Sequence, residues 1–218
     1  MAMYEREREE MVNHLVRSGY LNDERAVEAM RKVPRRAFIP SEQRRNAYVD
    51  SPLPIGDGQT ISAPHMVAIM VEAADLGPGM RVLEIGGGSG YHAAVMGEMV
   101  SPGGKVYTME RLESLAERAR ESLGKAGYGE VVEISVGDGT KGLPEKGPYD
   151  RIVVTAGAPD VPGPLKEQLA EGGKLLIPVG GRSYQELLRI TRHGEGFTTE
   201  NLGGCVFVPL IGEHGFPH

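Results

Sequence analysis

The segment Arg81-Val82-Leu83-Glu84-Ile85-Gly86-Gly87-Gly88-Ser89-Gly90-Tyr91-His92 restricts the fold of this chain more than any other stretch. A short apolar run ends in clustered glycines, and a helix-like segment follows. That order is how a buried parallel strand delivers the chain to a tight turn at the head of a helix. Glycines there allow positive φ and let a ligand come close to the main chain. Alone, the turn is ambiguous. Gly86-x-Gly88-x-Gly90 suits a nucleoside cofactor, Gly88-x-Gly90-x-x-Ala93 fits a loose dinucleotide fingerprint, and a ligand-free βα turn would read the same way.

The rest of the chain supplies the context. After Gly77-Pro78-Gly79 the sequence alternates between apolar runs and amphipathic stretches. Strands are predicted over 81–85, 105–110, 131–136, 151–155, 174–179, 186–192 and 205–210, with helices near 91–100, 112–125 and 164–170. Alternation over the first five strands implies right-handed parallel crossovers. The turn-rich His193-Gly194-Glu195-Gly196 joins the last two strands, which predicts an antiparallel hairpin. The expected architecture is an α/β doubly wound sheet, mostly parallel, with a C-terminal antiparallel hairpin. Ligands of such sheets bind beyond the carboxyl ends of the strands, at the topological switch.

Upstream, Met11, Val12, Leu15 and Val16 recur at helical spacing within 5–18. Asn22 or Asp23 can cap a second helix that Pro34 terminates after about Val33. A third short helix is predicted over 42–47, so residues 1–49 read as a helical cap on a single 1–218 domain. Residues 50–64 lack a periodic pattern, and an irregular loop of that length inside a compact domain is usually functional. A helix then follows over 65–74. Ser62 is expected to cap it, and Pro64 is tolerated in its first turn.

A chain of 218 residues with 40% hydrophobic and 25% charged content fits one soluble α/β domain. Cys205 is the only cysteine, which excludes an internal disulfide framework and a Cys-rich zinc site. Its apolar neighbours predict a buried thiol rather than a nucleophile. The N-terminus alternates charges without an apolar core and no run approaches transmembrane length, so neither a signal peptide nor a membrane span is expected, and a cytoplasmic protein is. The chain is expected to act as a monomer. A formal net charge of −6 argues against a dedicated nucleic-acid binder. Arg31, Lys32, Arg35, Arg36, Arg44 and Arg45 form a local basic run, read as a solvated helix face.

Complementary groups fall at the other strand ends. Glu110 closes the second predicted strand, where a carboxylate can accept bonds from both hydroxyls of a ribose. Its bland alternative is capping of the next helix. Asp138 closes the third strand and could meet an adenine amine, or simply form an Asx turn. Thr155-Ala156-Gly157-Ala158 ends the fourth with small residues. A dehydrogenase would be expected to show Gly-x-Gly-x-x-Gly and a second pyrophosphate anchor. Here the third glycine comes early, at Gly90, which suits a cofactor without pyrophosphate such as S-adenosylmethionine. Glu84 could sit near the amino group of its methionine moiety, or pair with Arg81 or another base.

Val82-Leu83-Glu84-Ile85-Gly86-x-Gly88-Ser89-Gly90-Tyr91 resembles motif I of class I methyltransferases. Pro54-Ile55-Gly56-x-x-Gln59-Thr60-Ile61-Ser62-Ala63-Pro64-His65-Met66 resembles the signature of the protein-L-isoaspartate O-methyltransferases. Agreement continues through Gly137-Asp138-Gly139, Pro148-Tyr149-Asp150, Gly172-Gly173-Lys174-Leu175 and Val208-Pro209-Leu210. Gly87 and His92 depart from the family pattern, where Thr or Ser and a small residue or Asn are usual. The resemblance implies a Rossmann-like sheet that uses S-adenosylmethionine, with no metal, to methylate the free α-carboxylate of L-isoaspartyl residues in damaged proteins. The ester then reverts through succinimide. It implies Ser62 as the catalytic residue. Cofactor contacts would come from Glu84, Gly86, Gly88, Ser89, Gly90, Glu110, Arg111, Asp138, Gly139 and Thr155. Substrate contacts would come from Gln59, Thr60, Ile61, Leu210 and Ile211, with His65 in a supporting place.

The chemistry suits a site poor in bases, because a carboxylate with a reference pKa of about 3.9 is already ionised near neutrality. In-line attack on a sulfonium methyl cancels opposite charges, so positioning and dehydration dominate. A nucleic-acid methyltransferase, a nicotinamide dehydrogenase and a non-catalytic nucleotide module are the rival readings. Against the first, the slot after the fourth strand lacks an Asn/Asp-Pro-Pro-aromatic tetrad and Cys205 is misplaced for cytosine C5 chemistry.

Overall fold

The structure is a computed structural model that describes residues 3–217. The outermost residues of the predicted 1–218 unit, Met1, Ala2 and His218, lie outside the described residues. The chain opens with α1 (Met3–Arg17) and α2 (Glu24–Lys32). Asp23 caps α2 by accepting the Ala26 N–H at 3.0 Å. Short 3-10 turns at Arg35–Phe38 and Ser41–Asn46 complete the cap. Val12, Leu15, Ala26 and Met30 are buried in one apolar cluster with residues of the sheet and the following helices, so the cap shares the core.

Residues 50–64 are not an irregular loop as expected. They contain a hairpin of β1 (Leu53–Gly56) and β2 (Gln59–Ile61), paired antiparallel with Leu53 opposite Ile61. Gly56, Asp57 and Gly58 take positive φ at its tip. Glycine does so without strain, and Asp is among the side chains that tolerate it best. Leu53, Ile55 and Ile61 face inward. Helix α3 (Pro64–Ala74) follows.

Then come β3 (Arg81–Ile85), α4 (Tyr91–Val100), β4 (Lys105–Glu110), α5 (Glu113–Ala126), β5 (Val132–Val136) and β6 (Tyr149–Val154). The chain ends with α6 (Gly163–Glu167), β7 (Leu169–Gly181), β8 (Tyr184–His193) and β9 (Gly196–Cys205). These seven strands form one sheet in the order β5-β4-β3-β6-β7-β8-β9. The first five pair parallel and the last two add antiparallel. Val82, Val106 and Val153 pack with α1–α5 on one face. Leu83, Ile85, Tyr107 and Ile152 pack with Leu165 of α6 on the other. Period-two alternation thus feeds two cores, and the helical layers are unequal.

The largest differences from expectation fall in the last third of the chain, where the strand predicted over 174–179 runs from Leu169 to Gly181. The predicted helix over 164–170 stops at Glu167, because Leu169 already pairs with Tyr149. The last strand is Gly196–Cys205 rather than 205–210. It is a polar, mostly exposed edge held by its ladder to β8, so it carries little apolar signal. The apolar run after it instead returns across the carboxyl ends of the sheet. There the Gly157 N–H bonds the Val208 carbonyl at 2.8 Å, and the Leu210 N–H bonds the Gly157 carbonyl at 2.7 Å.

Candidate active site

The sheet reverses its winding between β3 and β6, and the clustered glycines stand at that point. Gly86 has φ +95°, and its N–H bonds the Met109 carbonyl at 2.9 Å. The Thr155 hydroxyl, from the end of β6, donates to the Gly86 carbonyl at 2.6 Å. A Cβ on Gly86 would lie 2.5 Å from that hydroxyl, so the position admits only glycine. Glu110 closes the turn from the β4 side. Its Oε2 accepts the Gly88 N–H at 2.8 Å and its Oε1 accepts the Leu112 N–H at 2.9 Å. Glu110 thus braces the glycine turn, a role its spacing did not suggest, and holds Leu112, the residue that leads into α5 without a side-chain cap of its own, with lone pairs to spare.

Above the turn lies a cavity of about 250 Å³. Gly86, Gly88, Ser89, Glu110, Arg111, Gly139 and Thr155 line it on the sheet side. The β2 segment Gln59-Thr60-Ile61 and Ser62 line it from the hairpin, and Leu210 and Ile211 from the returning C-terminus. Glu110 is its one carboxylate among the described residues. The predicted residues that do not line this cavity are Glu84, Gly90, Asp138 and His65. Each has a definite place elsewhere.

Glu84 is fully buried behind the turn. Its Oε2 accepts the Thr108 hydroxyl at 2.6 Å, and its Oε1 lies 3.0 Å from His92 Nδ1. Its base partner is thus His92 rather than Arg81, whose guanidinium reaches the Lys146 carbonyl. His92, missed as a site residue, lines the cavity in its stead. Gly90 begins α4 with φ +83°, and a Cβ there would press on Leu123 and Ala119 at 3.2–3.3 Å.

Asp138 faces an adjoining cavity that shares Arg111 and Ile211 with the first. Its carboxylate accepts the Thr140 N–H and hydroxyl at 2.9 and 2.6 Å and the Glu213 N–H at 2.8 Å. Burial alone would raise its pKa, but these donors outweigh it and hold the carboxyl below the usual aspartate range. The Asx turn expected at Asp138 is present. So is a tie to the C-terminal segment that sequence patterning did not foresee.

Ser62 lines the cavity but does not cap α3. Ala63 occupies the N-cap position without a side-chain bond, which leaves Ser62 one residue too early. Asp50 supplies the missing acceptor from a distance: its Oδ1 takes the His65 N–H at 2.9 Å and lies 2.9 Å from His65 Nδ1. His65 also meets the Tyr20 ring at 5.6 Å, so it anchors α3 to the cap beside the cavity. The hairpin tip is tethered to α5, where Arg118 and Ser114 bond Asp57 Oδ2 at 2.6 and 3.0 Å.

The basic run is not one solvated face. Arg31 pairs with Glu9 and Glu28, and Lys32 with Glu98. Arg36 stacks on Tyr4 at 3.8 Å. Arg35 is fully buried, its Nη2 donating to the Ser62 carbonyl at 2.8 Å and its Nε to the Ala47 carbonyl at 2.9 Å. Only the alternation of this run with Pro34 and Phe38 hinted that one of its cations points inward. Cys205 is buried as expected, and burial pushes its thiol up to about 11. Among the described residues no helix is long and apolar enough to cross a membrane. No group of three or more His, Cys, Asp or Glu among them could hold a metal ion.

The family model described as protein-L-isoaspartate(D-aspartate) O-methyltransferase matches residues 6–215. A protein-L-isoaspartate O-methyltransferase of Methanopyrus kandleri is 58% identical over 98% of this chain and 95% of its own. One from Hyperthermus butylicus is 55% identical over 96% and 90%. A Plasmodium falciparum crystal structure described as a protein-L-isoaspartate O-methyltransferase in complex with S-adenosyl-L-homocysteine superposes with a TM-score of 0.84 at 29% identity. It covers 94% of this chain and 98% of its own.

Proposed function

The chain belongs to the protein-L-isoaspartate(D-aspartate) O-methyltransferase family, and from that premise we propose how its cavity divides the work of carboxyl methylation. It is an S-adenosylmethionine-dependent enzyme that methylates the free α-carboxylate of L-isoaspartyl residues and so starts their repair through succinimide. S-adenosylmethionine supplies the electrophilic methyl. The observation that carries our reading is the make-up of the wall: the side-chain-free turn at Gly86 and Gly88, braced by a carboxylate, lines the same cavity as Ser62.

Gly86, Gly88, Ser89 and Thr155 would hold the methionine end, and Glu110 the ribose through its unused lone pairs. Arg111 and Ile211, shared by both cavities, would flank the nucleoside on its way to Gly139 and Asp138. Gly90 would act by seating α4. Glu84 would act through His92, which stands between it and the cavity. Ser62 would hold one acceptor oxygen while the other faces the methyl. Gln59, Thr60, Ile61, Leu210 and Ile211 would exclude water around it, and His65 would keep the start of α3 in place through Asp50.

With an ionised acceptor, no proton has to move in the transfer, so alignment and dehydration are the catalytic means. Residues 1–49 would serve as the cap, 50–64 as the substrate segment and 65–218 as the cofactor core of one domain. We take the enzyme to act as a cytoplasmic monomer on proteins and peptides rather than nucleic acids. The deciding experiment offers labelled S-adenosylmethionine with an isoAsp peptide or its normal Asp twin. Label should enter the isoAsp peptide alone. Equal labelling of the twins, or labelling of RNA only, would sink this reading.

A further inference from the structure

Arg35 is a fully buried cation with no direct ion-pair partner among the described residues; the field of the Asp50 carboxylate reaches it, but that carboxylate is bonded to the His65 N–H and lies against its ring. Its guanidinium meets two carbonyl oxygens, of Ser62 and Ala47, while its Nη1 is buried without any hydrogen-bond partner. None of the ion pairs among the described residues includes it. Burying an ion away from water is costly unless a charge of opposite sign compensates. Neutral donors could have bonded the same carbonyls. Burial pushes the guanidinium down to about 10, so it stays charged at neutral pH.

Its position gives that charge a target. Both groups it touches toward the interior belong to the cavity wall. Ser62 is one, and the other is Tyr91, whose ring centre lies 5.1 Å from the Arg35 Cζ. Arg111 is the only Lys or Arg among the residues that line the cavity, and it is exposed on the side shared with the adjoining one. Beside Ser62 the side-chain cation is Arg35, which touches the Ser62 carbonyl from behind and whose charge is offset only in part by Asp50. Inside a protein the potential of such a charge is weakly screened.

We propose that Arg35 is a positioning residue for the acceptor: it fixes the Ser62 carbonyl to the cap and serves as the counter-ion of the carboxylate bound at Ser62. The inference rests on the placing of the acceptor at Ser62 argued above. It has a kinetic signature. The acceptor charge is present in the ground state and cancels as the methyl transfers, so Arg35 holds the bound substrate more than the transition state. Its loss acts on KM rather than kcat.

The test uses the S-adenosylhomocysteine-loaded enzyme, titrated calorimetrically with an isoAsp peptide and with the same peptide carrying an α-carboxamide. Wild type should prefer the carboxylate by about tenfold or more. Arg35→Met should reduce that preference to within about threefold, and Arg35→Lys should retain most of it. In turnover, Arg35→Met should raise KM for the isoAsp peptide about tenfold with kcat within about threefold of wild type. Equal weakening of both peptides by Arg35→Met, or the same loss of preference in Arg35→Lys, would show a merely structural role and overturn the proposal. Should Arg35→Met not fold, the bound ¹³C-labelled α-carboxyl of wild type decides. A pKa below that of the free peptide supports the counter-ion, and an unchanged or raised one overturns it. Failure of wild type to prefer isoAsp over Asp would instead sink the acceptor assignment itself. An intact isoAsp preference with full carboxylate discrimination in Arg35→Met sinks only the role of Arg35.

Discussion

Ser62→Ala is expected to lower kcat about ten- to a hundredfold while cofactor affinity stays within about twofold. The hydroxyl is not needed as a helix cap, since Ala63 holds that position and Asp50 bonds the His65 N–H. Its removal therefore should cost little stability, and the activity loss can be read as a lost acceptor contact. Single-turnover rates with calorimetry of S-adenosylhomocysteine check this; lost cofactor binding with normal chemistry at saturation would make Ser62 a cofactor residue. At this scale the sequence was legible wherever a residue's role depends on near neighbours. Gly86 and Glu110 follow from strand ends and spacing, and the structure places both on the cavity. Residues acting over longer separations were hidden. Asp50 serves a helix fifteen positions on. Arg35 looked like any cation in a basic run, because burial is a property of the folded cap and not of the run. The place of Glu84 just before the turn leaves a ligand and a base partner equally open, and the pleat decides it by directing the carboxylate toward α4 and His92.

Among the elements, the β1–β2 hairpin carries Ser62 toward the glycine turn, and Ile55 of β1 would lie 3.5 Å from a Cβ on Gly88. Its tip is held by Asp57, whose carboxyl sits below the usual aspartate range because Arg118 and then Ser114 donate to it. The Asp57–Arg118 pair is largely exposed, so it adds little to global stability. Its effect is local. Asp57→Ala should leave Tm within about 2 °C of wild type and raise KM for the isoAsp peptide several-fold, with a smaller salt dependence than wild type. Melting curves and KM at low and high salt test this, and an unchanged KM would show that the tip needs no tether. The hairpin also marks where sequence patterning loses resolution. Parallel strands such as Arg81–Ile85 and Lys105–Glu110 were readable as buried apolar runs between turn signals. A three-residue strand such as Gln59–Ile61 offers no period to detect. The edge strand Gly196–Cys205 is polar because solvent covers it, so the stronger strand signal comes from the apolar run 205–210 that follows it.

Across the whole molecule, the cavity is closed by segments far apart in the chain: the hairpin after the cap, the strand ends of the sheet and the returning C-terminus. The last of these is fastened at Asp138, which accepts the Glu213 N–H, while the His214 N–H bonds the Thr140 hydroxyl at 3.1 Å. Gly212 lies so close that a Cβ there would collide with the Asp138 carboxylate. Because folding depresses the Asp138 pKa, the tie stabilises the folded state above the unfolded aspartate value of about 3.9. That contribution fades as pH falls through the lower folded value, when the carboxyl gains a proton and loses acceptor capacity. Other depressed carboxyls, Asp57 and Asp75 among them, add to acid sensitivity, so wild type must be compared with Asp138→Asn. The amide offers fewer acceptor sites to the donors of Thr140 and Glu213. At pH 7 the variant should bind S-adenosylhomocysteine about tenfold or more weakly and melt lower. Between pH 6 and about 3, wild type should lose more Tm than the variant, so that the two converge in acid. Parallel curves separated by a constant offset would mean that the Asp138 carboxylate is not what fastens the chain end over the cavity, and that Leu210 and Ile211 hold their places by packing and by the backbone bond from Leu210 to Gly157.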